Sequence, residues 1–548
     1  MRNGQGARVA VAGVIALGAA IRLLGLSRFP DGLWHDEALN GLQVARLLEG
    51  RLSFVFMDIS PREPLWFYLA APCLAAARWL GEGSLASDIA GLRVASALIG
   101  TATLGAFWLL ARRTMPVAWA LVALAMLAVL PWHVHFSRLA FRAILLPLLV
   151  CLSGWALLRW ERTGRPRDAA LASGFALAGV YSYHAGPVLP LALLLAMGAR
   201  CVQSRGTEAL RGRVKGLAIA AAIAAVGSVP IAAALVAGPV DATMRFREVA
   251  AAEAADSTIV GNIARVAAFF FVLGDGDFRH GPAGRPLLPL ALGPVLLAGV
   301  AASLAMLLRG RGGKRALDAW LLATLAGFMA VSALSSEAPH KLRMLGMAPV
   351  VVLLFVEGLR VAFVWLRRRG AGARVLRVGL AVVLLATLAL EARAVVKWSR
   401  DYREFEYFSG GQTRVAEWSR GLDVDGDARN RPRPEGMALW LPRGLAEDPV
   451  IRYLARDVRS FERLEEAVVA DPPAAVAIVV TGQAPRNGPM LERLFPRASY
   501  ISLIVNPGND GVWGVVYVVP QRASALSPAE ALIAAQFETH HRYHEVKE

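Results

Sequence analysis

The chain has 548 residues, 56% of them hydrophobic and only 18% charged, a balance foreign to soluble globular proteins. Its formal net charge of +17 would suggest nucleic acid in a soluble protein. Here the Lys and Arg gather in short clusters between apolar runs, the pattern that orients a membrane protein, so the partner is a lipid bilayer and not nucleic acid.

Arg2 and Arg8 precede an apolar run, Val9–Leu26, with no Ala-x-Ala-like site after it, so this run reads as a retained first span. Runs at 89–111, 116–132, 141–159, 168–184, 186–202, 215–237, 287–308, 316–334, 343–366 and 374–395 are also of spanning length, giving about eleven spans. A further run at 64–81 opens Pro64-Leu65-Trp66-Phe67-Tyr68 and contains Pro72, Arg78 and Trp79. Charge decides its status. If it does not span, every dense basic cluster (Arg112-Arg113, Arg159 to Arg167, Arg200 to Lys215, Arg309 to Arg315, Arg367 to Arg374) lies in the cytoplasm. If it spans, all of them lie outside, against the positive-inside tendency. The run is therefore expected to lie at the outer interface as an amphipathic helix. Residues 1–395 form the membrane domain, with a first external loop at 28–88 and a long external loop at 238–286.

Residues 396–548 are expected to form a small external α/β domain. Met437–Leu441 and Ala475–Val480 read as buried strands. Tyr500–Val505 and Val512–Val519 flank the turn signal Asn506-Pro-Gly-Asn-Asp-Gly511 and read as a hairpin. Helices are expected at 447–456 and 460–469, and one more within 521–548, before a polar tail with His540 and His541. Cys73, Cys151 and Cys201 show no metal or Cys-x-x-Cys spacing and read as packing residues.

With this sidedness, the polar residues collect at the outer mouths of the spans. Asp31-Gly-Leu-Trp-His-Asp-Glu-Ala38 opens a helix. Asp36 there is either a cap, since acids suit helix starts, or a functional carboxylate, and one role does not preclude the other. Arg62-Glu63-Pro64 introduces the interfacial helix. His133-Val-His-Phe-Ser-Arg138 and Arg142 place positive charge where the bias disfavours it, as do His340, Lys341 and Arg343. His133 and His135 are weak candidates for a divalent metal shared with Asp36 and Glu37. Asp275 and Asp277 share the opening of a calcium loop but lack its later acids. Cations at several outer mouths suit a lipid-linked phosphate, with a carboxylate nearby as base. Ionisable residues deep within spans are few, which speaks against a transporter.

The Asp36-Glu37 pair, the following Pro64-Leu65-Trp66, Ser137-Arg138 with Arg142, and His340-Lys-Leu-Arg343-Met-Leu-Gly-Met-Ala-Pro349 together resemble the GT-C superfamily of integral-membrane glycosyltransferases. The resemblance covers roughly residues 9–395 and is strongest to the bacterial branch akin to protein O-mannosyltransferases and the lipid A aminoarabinose transferase. It implies an α-helical polytopic fold with external juxtamembrane helices. It also implies transfer of a sugar, with inversion, from a polyprenyl-phosphate donor to an unknown acceptor (a protein hydroxyl, a glycolipid or a polysaccharide). The setting would be the outer face of a bacterial inner membrane, with the C-terminal domain periplasmic. Asp36, beside Glu37, would be the catalytic base. Arg62, Arg138, Arg142, Lys341 and Arg343 would bind the donor phosphate. His35, Glu63, Tyr183, His184 and His340 would position the acceptor or Asp36. No cofactor is required beyond a possible divalent metal. The rival readings are a lipid-linked sugar flippase and a non-catalytic assembly protein.

Overall fold

The computed structural model describes residues 2–57, 61–81, 83–204, 209–237, 259–309, 315–335, 337–370, 372–401, 407–420, 438–455, 458–461, 476–481, 500–505 and 512–519. They form a long series of helices followed by a small mixed sheet. By their internal contacts the residues fall into two compact units. One comprises Met1–Leu26, Arg46–Ala76 and Gly91–Trp398. The other comprises Ser27–Ala45, Ala77–Ala90 and Ser399–Glu548. Residues 28–88, expected as one loop, are thus divided between them.

Each of the eleven predicted spans is helical. Among the described residues eight helices are long and apolar enough to cross a membrane, or up to nine if the bent pair Val117–Val129 and Pro131–Ser137 is one span. The segments expected at 168–184 and 186–202 form shorter helices, α8 (Pro166–Val180) and α9 (Val188–Gln203). The interfacial run is a 16-residue helix, α3 (Leu65–Leu80), with Pro72 inside it. The long external loop contains a helix that the sequence did not announce, Ile259–Ala268; residues 238–258 lie outside the described residues.

Two helices of the first unit, α12 (Gly293–Arg309) and α14 (Ala348–Arg368), cross with backbones in direct apposition. A Cβ on Gly299 would sit 1.8 Å from the Leu354 carbonyl oxygen, and one on Gly358 1.8 Å from that of Val295. In lipid, where apolar burial does not drive helices together, such close approach through small residues supplies the packing energy.

The bent pair has a specific cause. Leu130 is extended (φ −60°, ψ 112°) and Pro131 has no N–H, so α5 (Val117–Val129) stops and α6 (Pro131–Ser137) restarts at an angle of 52°. The carbonyls orphaned by this break need donors. Arg22, fully buried near the C-terminal end of α1 (Arg2–Leu23), supplies them. Its Nη1 donates to the Ala128 oxygen at 2.8 Å and its Nη2 to that of Leu127 at 3.4 Å. Arg138 performs the reciprocal service. Its guanidinium donates to the carbonyls of Ile21 (2.8 Å), Arg22 (3.3 Å), Leu24 (2.8 Å) and Gly25 (3.2 Å), where α1 ends.

Two short strands, β1 (Phe56–Met57) and β2 (Pro61–Arg62), pair in the first unit. The second unit holds five more: β3 Ala438–Pro442, β4 Val458–Phe461, β5 Val476–Thr481, β6 Tyr500–Val505 and β7 Val512–Val519. They form one sheet in the order β4-β3-β5-β7-β6. β3 pairs in parallel with β4 and β5, while β7 is antiparallel to both β5 and β6. Four of these strands coincide with the predicted ones. β4 does not: its Ser460 and Phe461 lie within the helix expected at 460–469, whose other residues fall outside the described set. The helix expected at 447–456 is present over Pro449–Leu454, with the Asp448 side chain accepting from the Val450 N–H at its start. Residues 521–548 are not among those described.

The second unit is pinned by Asp88, a fully buried carboxylate. Arg78 Nε lies 2.6 Å from its Oδ1 and Arg420 Nη2 lies 2.7 Å from its Oδ2. Arg420 also donates to the carbonyls of Leu454 (2.6 Å) and Gly83 (3.1 Å).

Candidate active site

The predicted site residues divide between the two units. His35, Asp36 and Glu37 belong to the second; the others belong to the first.

In the second unit, helix α2 (His35–Leu48) starts at His35, so Trp34 is its N-cap position. The fully buried Glu37 accepts from the Trp34 N–H at 3.2 Å, the backward half of a capping box. Capping therefore falls to Glu37. Asp36 is half-buried in the first helical turn, where its charge complements the helix dipole. The turn before it is held by side chains from residues 408–414. Asp31 pairs with Arg414 at 2.9 Å, and the Leu33 N–H donates to Thr413 Oγ1 at 3.2 Å. Gly32 needs to be glycine twice over: its φ is +87°, and a Cβ would lie 2.4 Å from the Phe408 carbonyl oxygen.

In the first unit, one polar group surrounds the start of α3. Phe56 pairs with Arg62 in the β1–β2 bridge, and the Leu65 N–H donates to the Tyr181 oxygen at 3.0 Å. This brings together Glu63, Arg142 and Tyr183. Glu63 and Arg142 form a buried ion pair. The Arg142 guanidinium carbon also lies 5.7 Å from the Tyr183 ring centroid and 5.9 Å from that of Phe67. The His184 ring packs at a tilt against that of Tyr183, with centroids 3.9 Å apart.

A second group joins the loop at 274–285 to the segment between α13 (Arg315–Ala333) and α14. Asp275 Oδ2 accepts from the Lys341 N–H at 2.7 Å and lies 2.6 Å from His280 Nδ1; its Oδ1 accepts from the Asp277 N–H at 2.8 Å. Burial pushes the Asp275 carboxyl up, but these contacts outweigh it and hold its pKa at about 2. Asp277 pairs with Arg279 at 2.8 Å; burial opposes its charge, yet Arg279 and His280 keep it below its ordinary value. The His340 ring lies 4.7 Å from the His280 ring. Burial, with His280 and Arg343 nearby, pushes His340 well below the usual histidine range. Burial also lowers Lys341 despite the carboxylates of Asp275, Glu391 and Asp277. The Lys341 ammonium donates to the Pro282 oxygen at 3.2 Å, and the Trp132 indole donates to the Lys341 oxygen at 3.1 Å. Arg343 bonds Ser335 Oγ.

The expected pair of metal-binding histidines is engaged elsewhere. His133 Nδ1 lies 2.8 Å from Arg22 Nη2, and His135 Nε2 lies 2.8 Å from the Arg279 oxygen. Among the described residues the group able to hold a metal is Asp275, His280 and His340, with ligand atoms all within 4.8 Å of one another. Of these three, Asp275 stood out in the sequence, with Asp277, as the opening of a calcium loop, and His340 as one of the cations near a span mouth; nothing local linked either to His280. Arg22 went unnoticed because a lone arginine near the end of a span resembles an ordinary flanking charge.

No family model matches the sequence, and no curated protein does. Solved structures do. ArnT from Cupriavidus metallidurans, bound to undecaprenyl phosphate, aligns over 94% of this chain and 99% of its own, with TM-score 0.51 and 13% identity. The oligosaccharyltransferase AglB from Archaeoglobus fulgidus, in complex with an inhibitory peptide and a dolichol-phosphate, aligns over 95% of this chain and 77% of its own, with TM-score 0.47 and 13% identity. The Saccharomyces cerevisiae O-mannosyltransferase Pmt1-Pmt2 complex aligns over 42% of this chain and 33% of its own, with TM-score 0.33 and 20% identity. On this near end-to-end match, the chain shares the polytopic helical fold of that ArnT.

Proposed function

We propose that this protein is a glycosyltransferase that moves a sugar from a polyprenyl-phosphate donor to an acceptor hydroxyl on the external face of the membrane, with inversion at the anomeric carbon. The observation that carries the reading is the fold, shared with an ArnT that was crystallised with undecaprenyl phosphate. The acceptor oxygen attacks the anomeric carbon, the bond to the phosphate oxygen breaks, and polyprenyl phosphate departs with the electron pair. Asp36 takes the acceptor proton late in the step, since a carboxylate is a weak base toward a hydroxyl. Arg142 and Lys341, with Arg62 and Arg343, bind the phosphate and stabilise its growing charge. Arg138 acts through the first span, whose end it holds. Glu63 orients Arg142, His35 positions Asp36, and Tyr183, His184 and His340 position the acceptor. The setting is a bacterial inner membrane with the site and the C-terminal domain on the periplasmic side; the basic clusters of the opposite loops support that orientation.

The test incubates purified protein with membranes of the expressing cells, which supply both the polyprenyl-phosphate glycolipids and the acceptor, and reads released polyprenyl phosphate by mass spectrometry. Folded Asp36→Asn protein should release it about 10²–10⁴-fold more slowly. Release at the wild-type rate would refute the assignment of Asp36.

The bent span with Arg22 at its break favours a second reading, a flippase for the same lipids, because discontinuous helices line transport paths. In proteoliposomes a flippase would move the intact glycolipid between leaflets without cleaving it.

A further inference from the structure

We infer that Asp275, His280 and His340 form a divalent-metal site of the zinc type, which ties the loop at 274–285 to the segment preceding α14. The three residues come from two segments far apart in sequence, and each is at least nine-tenths buried (3%, 3% and 8% exposed). Their ligand atoms lie within 4.8 Å of one another. Two imidazoles and one carboxylate are the N/O donor set that zinc takes in open, three-ligand sites. A hard cation such as calcium or magnesium would prefer an all-oxygen shell. Ligands on a tetrahedral zinc at about 2.0–2.1 Å stand roughly 3.4 Å apart, so the ligand atoms need close by only about an ångström to meet the ion.

The surroundings are built as a supporting shell. The Asp275 carboxylate is oriented by the N–H groups of Asp277 and Lys341, at 2.8 and 2.7 Å. The Lys341 carbonyl is itself fixed by the Trp132 indole. Phe136 packs against His280, with ring centroids 5.4 Å apart. Such outer contacts hold ligands in orientation and are a general feature of metal sites. Without an ion the same residues have one evident alternative, a hydrogen-bonded Asp275–His280 pair with the His340 ring tilted against it. The inference does not depend on sugar transfer.

The test is a spectroscopic titration of the full-length protein in detergent. The background is H540A/H541A/H544A, so that the histidine-bearing tail binds no metal. After chelator treatment, Co²⁺ should bind with about one ion per chain and give the visible absorption of a four- or five-coordinate ion, which Zn²⁺ then displaces. His280→Asn and His340→Asn, each checked for folding by size-exclusion chromatography, should each abolish this absorption. Protein with the site intact that takes up no Co²⁺ overturns the inference and leaves the hydrogen-bonded pair. So does absorption that survives unchanged in both variants.

Discussion

Glu63→Gln offers a direct measure of how Arg142 is held and what it is for. The substitution keeps the side-chain size and removes the charge. The side chains of Glu63 and Arg142 are only 11% and 8% exposed, so the pair belongs to the buried regime, where removing one partner costs about 3–5 kcal/mol. The aromatic faces of Phe67 and Tyr183 remain near the stranded guanidinium and offset about 1 kcal/mol of that. The expected net loss is about 2–4 kcal/mol. Unfolding by SDS titration in mixed micelles measures it, for Glu63→Gln and for the double variant Glu63→Gln/Arg142→Met. The double variant should be less destabilised than Glu63→Gln alone, because it removes the buried cation together with its carboxylate. Polyprenyl phosphate adds a second arm. If Arg142 binds phosphate, the lipid replaces the missing carboxylate and stabilises Glu63→Gln more than wild type; saturation at a hundredfold over Kd is worth about 2.7 kcal/mol. Glu63→Gln protein within about 0.5 kcal/mol of wild type, inside the range of neutral surface changes, would refute the buried-pair reasoning. An equal lipid effect in both proteins would refute the phosphate role.

Two further outcomes follow from the packing. Gly299→Leu places atoms where the Leu354 carbonyl now sits and should cost more than the roughly 1–3 kcal/mol usual for overpacking, read as a loss of monodisperse protein in size-exclusion chromatography. Gly379→Leu, with open space around its Cβ position, is the control and should behave as wild type; equal behaviour of the two variants would sink the close crossing. Asp88→Asn leaves the buried Arg420 without its charge partner and should destabilise the second unit by about 3–5 kcal/mol, seen as faster limited proteolysis between residues 399 and 437; wild-type proteolysis would refute the pin.

Much of the fold is legible in the sequence because its causes are local. An apolar run of spanning length must satisfy its own backbone and becomes a helix, so all eleven predicted spans are helical. β3, β5 and the β6–β7 hairpin were visible for a similar reason: short apolar runs flanked by turn residues. β4 was not. Val458-Arg-Ser-Phe461 is a strand through its parallel pairing with Leu439–Pro442, a partner that local sequence does not name.

The site residues divide along the same line. Composition and charge placed Asp36, Arg142 and Lys341 among the candidates, since charges beside apolar runs stand out against their background. What each side chain touches depended on neighbours distant in the chain. Glu37, not Asp36, turned out to cap its helix. Arg138 was found on the carbonyls of a helix more than a hundred residues earlier, and Arg22 at a proline break equally far ahead. Asp275, His280 and His340 became a cluster only when two separate segments met. Hydropathy acts along the chain and can be read from it; hydrogen bonds and metal ligation act through space, and only the tertiary structure decided them.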